Sequence, residues 1–416
     1  MSAIEASLVD AANQSVGRSP SAPAAARIIE DIAQFFRSEW QAKETFEGWP
    51  FLPEQAGRQP TAAQANAFLL GCCIDYHQLT RTAWRKATTF CNETVGVEHL
   101  DRLWHWIAQH DARTWASRFE SYGCLHPTPV RHRKLHSIAK TLVDHYDGDA
   151  RQLWQRQNVG RLTEILRDEL AVGPQITRMI IGGLRDHQLV KMETSDLKAD
   201  VQVIRLMNAM GLSHTTNPNQ VVEDARRLFE DPWVADTALY HLGSTYGAGT
   251  KSDVLRIYRA ICQWREVRTT TEELVEAMLG ELKREYESAI RFDAASTPHC
   301  VGAYLVEMRG ALRGAMYEEE TLWAWVGFAF DGTLVSAPTI GGSPKHFSSE
   351  SKAVLKSKGF VEDKTGAEAR RGNIEYYAEH AIAVGILRQP ALLKKALKKQ
   401  VNLLRPILDS AKHSLK

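Results

Sequence analysis

Helical hydrophobic periodicity dominates the first 250 residues and restricts the possible folds more than any other feature. From residue 61 onward, segments such as VEHLDRLWHWIAQH and RKLHSIAKTLVDHY place apolar residues three and four positions apart. That spacing lines one face of an α-helix. Strand-like alternation is nearly absent before residue 320. The sequence therefore predicts a mainly α-helical protein.

The pattern divides the chain into three parts. They are an N-terminal helix and linker (1–60), a helical core (61–250) and a mostly helical extension (251–416). In the extension, Asp331 and Gly332 separate two apolar, β-prone runs near 321–342. An Asp-Gly pair in that setting favours a tight hairpin turn. We therefore expect the C-terminal region to be helical with one small β-hairpin.

Hydropathy and cysteine usage exclude several classes of protein. No window approaches eighteen consecutive apolar residues, and the opening stretch lacks the apolar core of a signal peptide. We therefore expect a cytoplasmic protein with no membrane partner. The six cysteines form no CxxC motif and no Cys/His pair at zinc-finger spacing. We expect reduced thiols, no metal cluster and no cofactor.

The overall charge balance does not indicate a nucleic-acid-binding protein, because the 51 basic and 50 acidic residues leave a formal net charge of +1. The distribution along the chain is uneven. VRHRKLHSIAK contains Arg131, Arg133 and Lys134 without an acidic residue, and LLKKALKKQVNLLRP contains four lysines without one. Both basic stripes are available for a phosphate backbone, although a solvated helix face explains each about as well.

Residues 166–212 form the most informative segment, with the pattern helix, turn, helix, loop, helix. In the first turn, AVGP places Gly173 where a positive φ is easily reached and Pro174 at the first helical position. The following helix then presents free backbone amides, which suit one phosphate group. A simple turn between two helices is the alternative.

Asp200 stands at the start of the third helix of this segment, directly before VQVIRLMNAMGL. Its simplest role is that of an N-cap, which accepts hydrogen bonds from the first backbone amides of the helix. A rigid carboxylate facing a cleft can also stabilise an oxocarbenium-like sugar and orient a water molecule. The sequence leaves both roles open.

AVGPQITRMIIGGL followed by LKADVQVIRLMNAMGL resembles the hairpin and catalytic segments of the helix-hairpin-helix (HhH-GPD) superfamily of DNA glycosylases. The resemblance covers roughly residues 61–250 and depends on the order and spacing of the elements. It implies a two-lobed helical glycosylase core. Its expected partner is double-stranded DNA containing a damaged or modified base, bound by a monomer.

The resemblance assigns Asp200 as the catalytic carboxylate and Val172 with Gly173 as the phosphate-binding hairpin. Gln175 takes the place of the Schiff-base lysine of bifunctional members, and an amide forms no imine. The resemblance thus implies a monofunctional enzyme that uses water and leaves an abasic site. This sequence departs from the family at Ala171, where a glycine is usual, and in the 25 positions from Gln175 to Asp200 (200 − 175). Lys198, in that loop, is expected to be solvated.

A glycosylase flips its target nucleotide out of the duplex and must surround the base with polar and aromatic groups. The candidates for this pocket are Asp75, Tyr76, His77, Gln78, Trp233 and Tyr240. For the polar run at 75–78, a solvent-facing turn is an equally good interpretation. Trp84, Trp104 and Trp106 are expected in the core.

The functional hypotheses belong to different classes. The first is an enzyme that excises a base, with glucosylated hydroxymethylcytosine of phage DNA as one substrate and antiviral defence as the role. Repair of alkylated or deaminated bases is the alternative within that class. A catalytically inert protein that binds DNA structures and a helical protein-interaction scaffold are the other two hypotheses.

Overall fold

The computed structural model divides the chain into two compact units. One contains residues 20–251 and the other the described residues from 252 onward. The described residues are 21–42, 52–53, 57–75, 80–122, 129–155, 157–244, 246–286, 290–294, 300–307, 323–330, 334–336, 339–342, 349–357, 359–363, 374–377, 380–382 and 389–413. They are mainly helical, as the sequence predicts.

Helices supply the regular structure of the described part of the first unit. In chain order they are α1 (Ala22–Ala42), α2 (Ala62–Ile74), α3 (Thr80–Thr89), α4 (Leu103–Gln109), α5 (Ala112–Ser121), α6 (Pro129–Tyr146), α7 (Val159–Glu164), α8 (Pro174–Asp186), α9 (Val201–Ala209), α10 (Pro218–Leu228) and α11 (Pro232–Ser244). Shorter turns are π-helical at Phe90–Val95 and Ile165–Glu169 and 3-10 at Val97–Arg102 and Ala150–Leu153.

Local side chains fix where several of these helices begin. Thr61 and Gln64 form a capping box at the start of α2, with hydrogen bonds of 3.2 Å and 2.9 Å in the two directions. Asn158 caps α7 by accepting from the Arg161 amide at 2.8 Å. Each cap satisfies amides that a helix start otherwise leaves without a partner, and is worth about 1 kcal/mol.

Large aromatic side chains fill the core of the first unit. Phe68, Trp84 and Trp104 are at most 2% exposed, and the predicted core positions of Trp84 and Trp104 are confirmed. Trp106 is partly buried against the same core. The buried amide of Asn66 joins three segments, because it donates to the carbonyls of residues 100 and 101 and accepts from the amide of residue 150.

The second unit contains more β-structure than the sequence predicts. Its described elements are α12 (Lys251–Tyr286, from residue 252), β1 (Ile290–Ala294), β2 (Cys300–Glu307), β3 (Trp323–Phe330), β4 (Leu334–Ser336), β5 (Thr339–Gly342), α13 (Ser349–Ser357), β6 (Val361–Asp363), β7 (Ile374–Tyr377), β8 (His380–Ile382) and α14 (Pro390–His413). The strands form one eight-stranded antiparallel sheet in the order β1-β2-β3-β5-β7-β6, with β4 pairing to β3 and β8.

The predicted hairpin is confirmed as the β3–β4 pair, in which Phe328 lies opposite Ser336 and Phe330 opposite Leu334. Asp331 and Gly332 of its turn lie outside the described residues. The expectation of one small hairpin was wrong, because β3 is a central strand of the larger sheet. β1 and β2 also precede residue 320, where the sequence predicted almost no strand.

α14 packs on this sheet through its apolar face. Leu393, Leu397 and Val401 are at most 6% exposed. Between them the Gln400 amide forms two hydrogen bonds of 2.8 Å, one to the carbonyl and one from the amide of Gly327 in β3. The side chain thereby satisfies the backbone of a central strand. Among the described helices of both units, none is long and apolar enough to cross a membrane.

Candidate functional site

Asp200 is the N-cap of α9, as the sequence predicts. Its backbone is extended (φ −81°, ψ 178°), which turns the side chain back over the helix start. Oδ1 accepts hydrogen bonds from the amides of Gln202 at 2.8 Å and Val203 at 2.9 Å. These two bonds fix the orientation of the carboxylate plane.

The second oxygen of Asp200 is available for chemistry. Both amide bonds end on Oδ1, and Oδ2 accepts no hydrogen bond from the described residues. The residue is half-buried, and Oδ2 is not among the buried polar atoms that lack a partner. Asp200 thus combines a capping oxygen with a free oxygen that water or a ligand can approach.

Lys198 lies beside this carboxylate and is largely buried rather than solvated, so the expectation for it was wrong. Its Nζ is 3.2 Å from Asp75 Oδ2, with side-chain exposures of 15% for Lys198 and 2% for Asp75. Nζ also lies 3.4 Å from the sulfur of Met179 in α8. Asp75 follows the last residue of α2, so the ion pair joins the end of that helix to the loop before α9.

A third carboxylate, Asp236 of α11, holds the backbone of the same lysine. Asp236 Oδ1 accepts from the Lys198 amide at 3.0 Å. The same loop is tied to α11 a second time, because the Trp233 amide donates to the Ser195 carbonyl at 2.9 Å. The loop from α8 to α9 is therefore packed, and it brings one lysine among three aspartates.

One buried cation shared by three carboxylates accounts for the electrostatics of this cluster. Burial raises the pKa of Asp200, and the amides of Val203 and Gln202 and the Lys198 ammonium oppose that rise only in part. Burial also raises the pKa of Asp236 well above its ordinary value, and the charge of Asp200 adds to the effect. Burial by itself lowers the pKa of Lys198, but the neighbouring carboxylates, Asp75 first, outweigh it and raise the pKa. Lys198 is therefore protonated at neutral pH.

The turn before α8 has the predicted helix-turn-helix form with one correction. Pro174 is the first residue of α8 and Gly173 its N-cap, as expected. Gly173, however, has φ −65°, and the positive φ of the turn falls on Ala171, at 50°. A residue with a Cβ is strained in that region by about 1–2 kcal/mol. A Cβ added to Gly173 would meet no atom within 4 Å, so the backbone at the helix start is open.

The other two residues of the predicted hairpin site differ in accessibility. Val172 is 5% exposed, and its amide donates to the Leu166 carbonyl at 2.7 Å, so neither its side chain nor its amide is available to a phosphate, contrary to the prediction. Gln175 is half-buried, and its Oε1 accepts from Arg178 at 3.3 Å. Gly173 supplies no side-chain cap to α8. This helix start is consequently the part of the turn that an anion can reach.

The two aromatic candidates occupy different environments. Trp233 is 6% exposed, its Nε1 donates to Asp186 at 2.9 Å, and a Cβ on Gly182 would come within 2.3 Å of its ring. This placement argues against the predicted stacking of Trp233 on a base. Tyr240 is half-buried on α11, one turn after Asp236 and therefore on the same helix face. Its role in a base pocket stays a prediction.

Several predicted residues lie outside the described part of the structure. Tyr76, His77 and Gln78 are among them, as is the side chain of Arg131. Arg133 and Lys134 are exposed on α6, as a phosphate contact requires. Four lysines of the C-terminal stripe are exposed on α14, and no described carboxylate pairs with them: Lys394, Lys395, Lys398 and Lys399.

Cysteine and carboxylate geometry bears on metal binding. Burial raises the pKa of the Cys73 and Cys91 thiols to about 12, which disfavours the thiolate form that binds metals. Among the described residues, no group of three or more His, Cys, Asp or Glu side chains has an arrangement that could hold a metal ion. In the Asp200 cluster, the Lys198 ammonium supplies the positive charge.

No family model, curated protein or solved structure matches this chain. The fold and the site define a mainly helical protein in which a helix-capping aspartate, a buried Lys–Asp pair and a helix-turn-helix lie in one unit. The geometry of these groups carries the functional argument.

The sequence pattern did not mark Lys198 or Asp236 as site residues. Asp236 lies in a mostly apolar stretch of α11, and a charged residue in that setting must be paired when it is buried. That signal was present, although it does not identify the partner. Lys198 has one apolar residue on each side and then Asp196 and Asp200, so its local sequence gave no such signal.

Proposed function

We propose that this protein is a DNA glycosylase that hydrolyses the N-glycosidic bond of a damaged or modified base and leaves an abasic site. The observation that carries the proposal is that the two oxygens of the Asp200 carboxylate have different environments. Oδ1 is fixed by two amides of α9, and Oδ2 accepts no hydrogen bond from the described residues. A rigid anion with one free oxygen suits a reaction that develops positive charge on a sugar.

The chemistry requires the target nucleotide to leave the base stack. The bond between C1′ and the base nitrogen then breaks, and its electron pair leaves with the base, which takes up a proton. The Asp200 carboxylate stabilises the oxocarbenium-like sugar and orients a water molecule, which adds to C1′ and loses a proton. The products are the free base and an abasic deoxyribose.

The protonated state of the Lys198 amine supports hydrolysis without lyase activity. An imine with the sugar needs a neutral, reachable amine. Gln175 carries an amide, and Lys198 is protonated and paired with Asp75 at 3.2 Å. Neither side chain is a Schiff-base nucleophile, so we propose a monofunctional enzyme.

Two exposed features of the same unit support a DNA partner. The start of α8 is open at Gly173, and backbone amides at a helix N-terminus bind phosphate. Arg133 and Lys134 are exposed on α6 of the same unit. Phosphate contacts of this kind set the register of a protein on the duplex and carry no base specificity.

The experiment incubates the wild type with plain, alkylated, deaminated and glucosyl-hydroxymethylcytosine DNA, with the last as the proposed phage-defence substrate. The proposal expects free base and abasic sites from one of these DNAs, with strand cleavage only after alkali. The Asp200→Asn variant should produce both far more slowly. Equal yields from the two proteins would remove Asp200 from the mechanism. Salt-dependent binding without excision by either protein would instead support the inert DNA-binding alternative.

A further inference from the structure

Lys198 is the one cation of the cluster, and the proposed reaction has no step for it. Its ammonium is neither a nucleophile nor part of the α9 cap. It nevertheless occupies a position 15% exposed in a loop whose other described lysine, Lys191, is exposed. A buried cation costs desolvation energy unless it is paired, so its placement needs an explanation.

The contacts of Lys198 restrain it from both ends. Its amide donates to Asp236 at 3.0 Å, and its carbonyl accepts from the Asp200 amide at 2.6 Å. Its Nζ is held by Asp75 at 3.2 Å and lies against the Met179 sulfur at 3.4 Å. The backbone of Lys198 is therefore fixed next to Asp200, and its ammonium is fixed on Asp75.

Stability alone is a weak explanation for this arrangement. A buried ion pair seldom stabilises a fold more than apolar side chains of similar size would, because desolvation offsets the attraction. The arrangement has a clearer electrostatic consequence for Asp200. Lys198 is the cation that favours the ionised form of Asp200, whereas burial and Asp75 oppose it.

We infer that Lys198, anchored by Asp75, is a positioning residue that keeps Asp200 ionised for base excision. This inference rests on the proposed function, because it assigns Lys198 a role in the same site. The ammonium does not touch the sugar. Together with the amides of Val203 and Gln202, its positive charge favours the anion of this half-buried carboxylate.

The charged groups around Asp200 make the inference testable, because replacing each of them should shift the pKa of Asp200 in a defined direction. They are Lys198 from the loop, Asp75 from the end of α2 and Asp236 from α11. Lys198→Met removes the only cation of the three, so the pKa of Asp200 should rise further. Asp75→Asn removes an anion but keeps a side-chain oxygen that can accept from the Lys198 ammonium, so the pKa of Asp200 should fall. Lys198→Arg retains the charge and should restore the wild-type value.

The experiment measures the pKa of Asp200 in the full chain from the carboxyl carbon resonance of 13C-labelled aspartate, assigned with Asp200→Asn. Single-turnover excision rates are measured over the same pH range. The inference expects the acid limb of the rate profile and the carbon titration to move together, upward for Lys198→Met and downward for Asp75→Asn. Lys191→Met, on the exposed part of the loop, is the matched control and should leave both unchanged.

Different results overturn different statements. An unchanged Asp200 titration in folded Lys198→Met overturns the inference and leaves the proposed function intact. If Lys198→Met fails to fold, Asp75→Asn decides, and an upward or absent shift overturns the inference. Absence of excision by the wild type on every DNA overturns the proposed function, and the carbon titration still tests the effect of Lys198 on Asp200.

Discussion

Lys198 Nζ lies 3.2 Å from Asp75 Oδ2, although 123 positions separate the two residues in the chain. The pair is buried beside the carboxylate that begins α9. Asp200 caps its helix through local contacts, but its ionisation also depends on this contact between distant residues, and therefore on tertiary structure. Any function of Asp200 as an anion therefore depends on the packing of α2 against the loop before α9.

Asp236→Asn should stabilise the protein at neutral and alkaline pH. The pKa of Asp236 is raised well above its ordinary value, first by burial and then by Asp200. A carboxyl whose pKa is higher in the folded state favours folding at low pH, and this contribution is lost as the pH rises through the folded pKa. Asparagine keeps the acceptor for the Lys198 amide without the buried charge.

Thermal unfolding from pH 4 to pH 8 checks this prediction. The melting temperature of Asp236→Asn should exceed that of the wild type at pH 8, and the difference should shrink as the pH falls. Asp111→Asn, which alters an aspartate that caps α5, is the control and should show no such trend. A variant less stable than the wild type at pH 8 would show that Asp236 is needed as an anion.

Ala171→Gly should raise the free energy of unfolding by about 0.5–1 kcal/mol. The substitution relieves a residue at φ 50°, and the greater freedom of glycine in the unfolded chain offsets part of the gain. Chemical denaturation measures the difference. An unchanged or lower stability would contradict the strain assigned to Ala171.

Gly173→Ala should separate DNA binding from folding in the same turn. The backbone at φ −65° accepts alanine, and the added Cβ meets no atom within 4 Å. The lower entropy of alanine in the unfolded chain offsets its weaker preference for the N-cap position, so stability should be nearly unchanged. If a phosphate approaches the start of α8, the methyl group should weaken DNA binding several-fold. Unaltered affinity would exclude close phosphate approach at Gly173.

Variants of the two basic stripes should differ in the salt dependence of DNA binding. Arg133→Gln with Lys134→Gln should lower the slope of log K against log salt by about two, since each phosphate contact contributes about 0.9. A second variant replaces the four exposed lysines of α14, residues 394, 395, 398 and 399, by glutamine. Fluorescence anisotropy with a short duplex measures both. A slope changed only by the second variant would assign DNA contact to the C-terminal unit instead.

The sequence was sufficient to predict features with a local cause. The Asp200 cap, the Pro174 start of α8 and the β3–β4 hairpin depend on residues within a few positions of one another, and all three are present. The sequence assigned the positive φ to Gly173 because glycine accepts it most easily. The structure instead places it at Ala171, an exposed residue, although alanine accepts that conformation less easily than glycine.

Features built from distant residues were not predictable in this way. The burial of Lys198 depends on Asp75, 123 positions away, and on Asp236, 38 positions away. The rest of the sheet of the second unit was missed for a different reason. β2 is apolar over consecutive positions, as a strand covered on both faces is, so alternation is weak in it.

The most direct test of the account is the single-turnover rate of abasic-site formation by the wild type, Asp200→Asn and Asp111→Asn. Asparagine is as good an N-cap as aspartate, so both variants should fold with nearly wild-type melting temperatures. The account predicts a loss of about 10²–10³-fold for Asp200→Asn and a wild-type rate for Asp111→Asn. Equal rates for all three proteins would contradict the central claim that the Asp200 carboxylate acts in base excision.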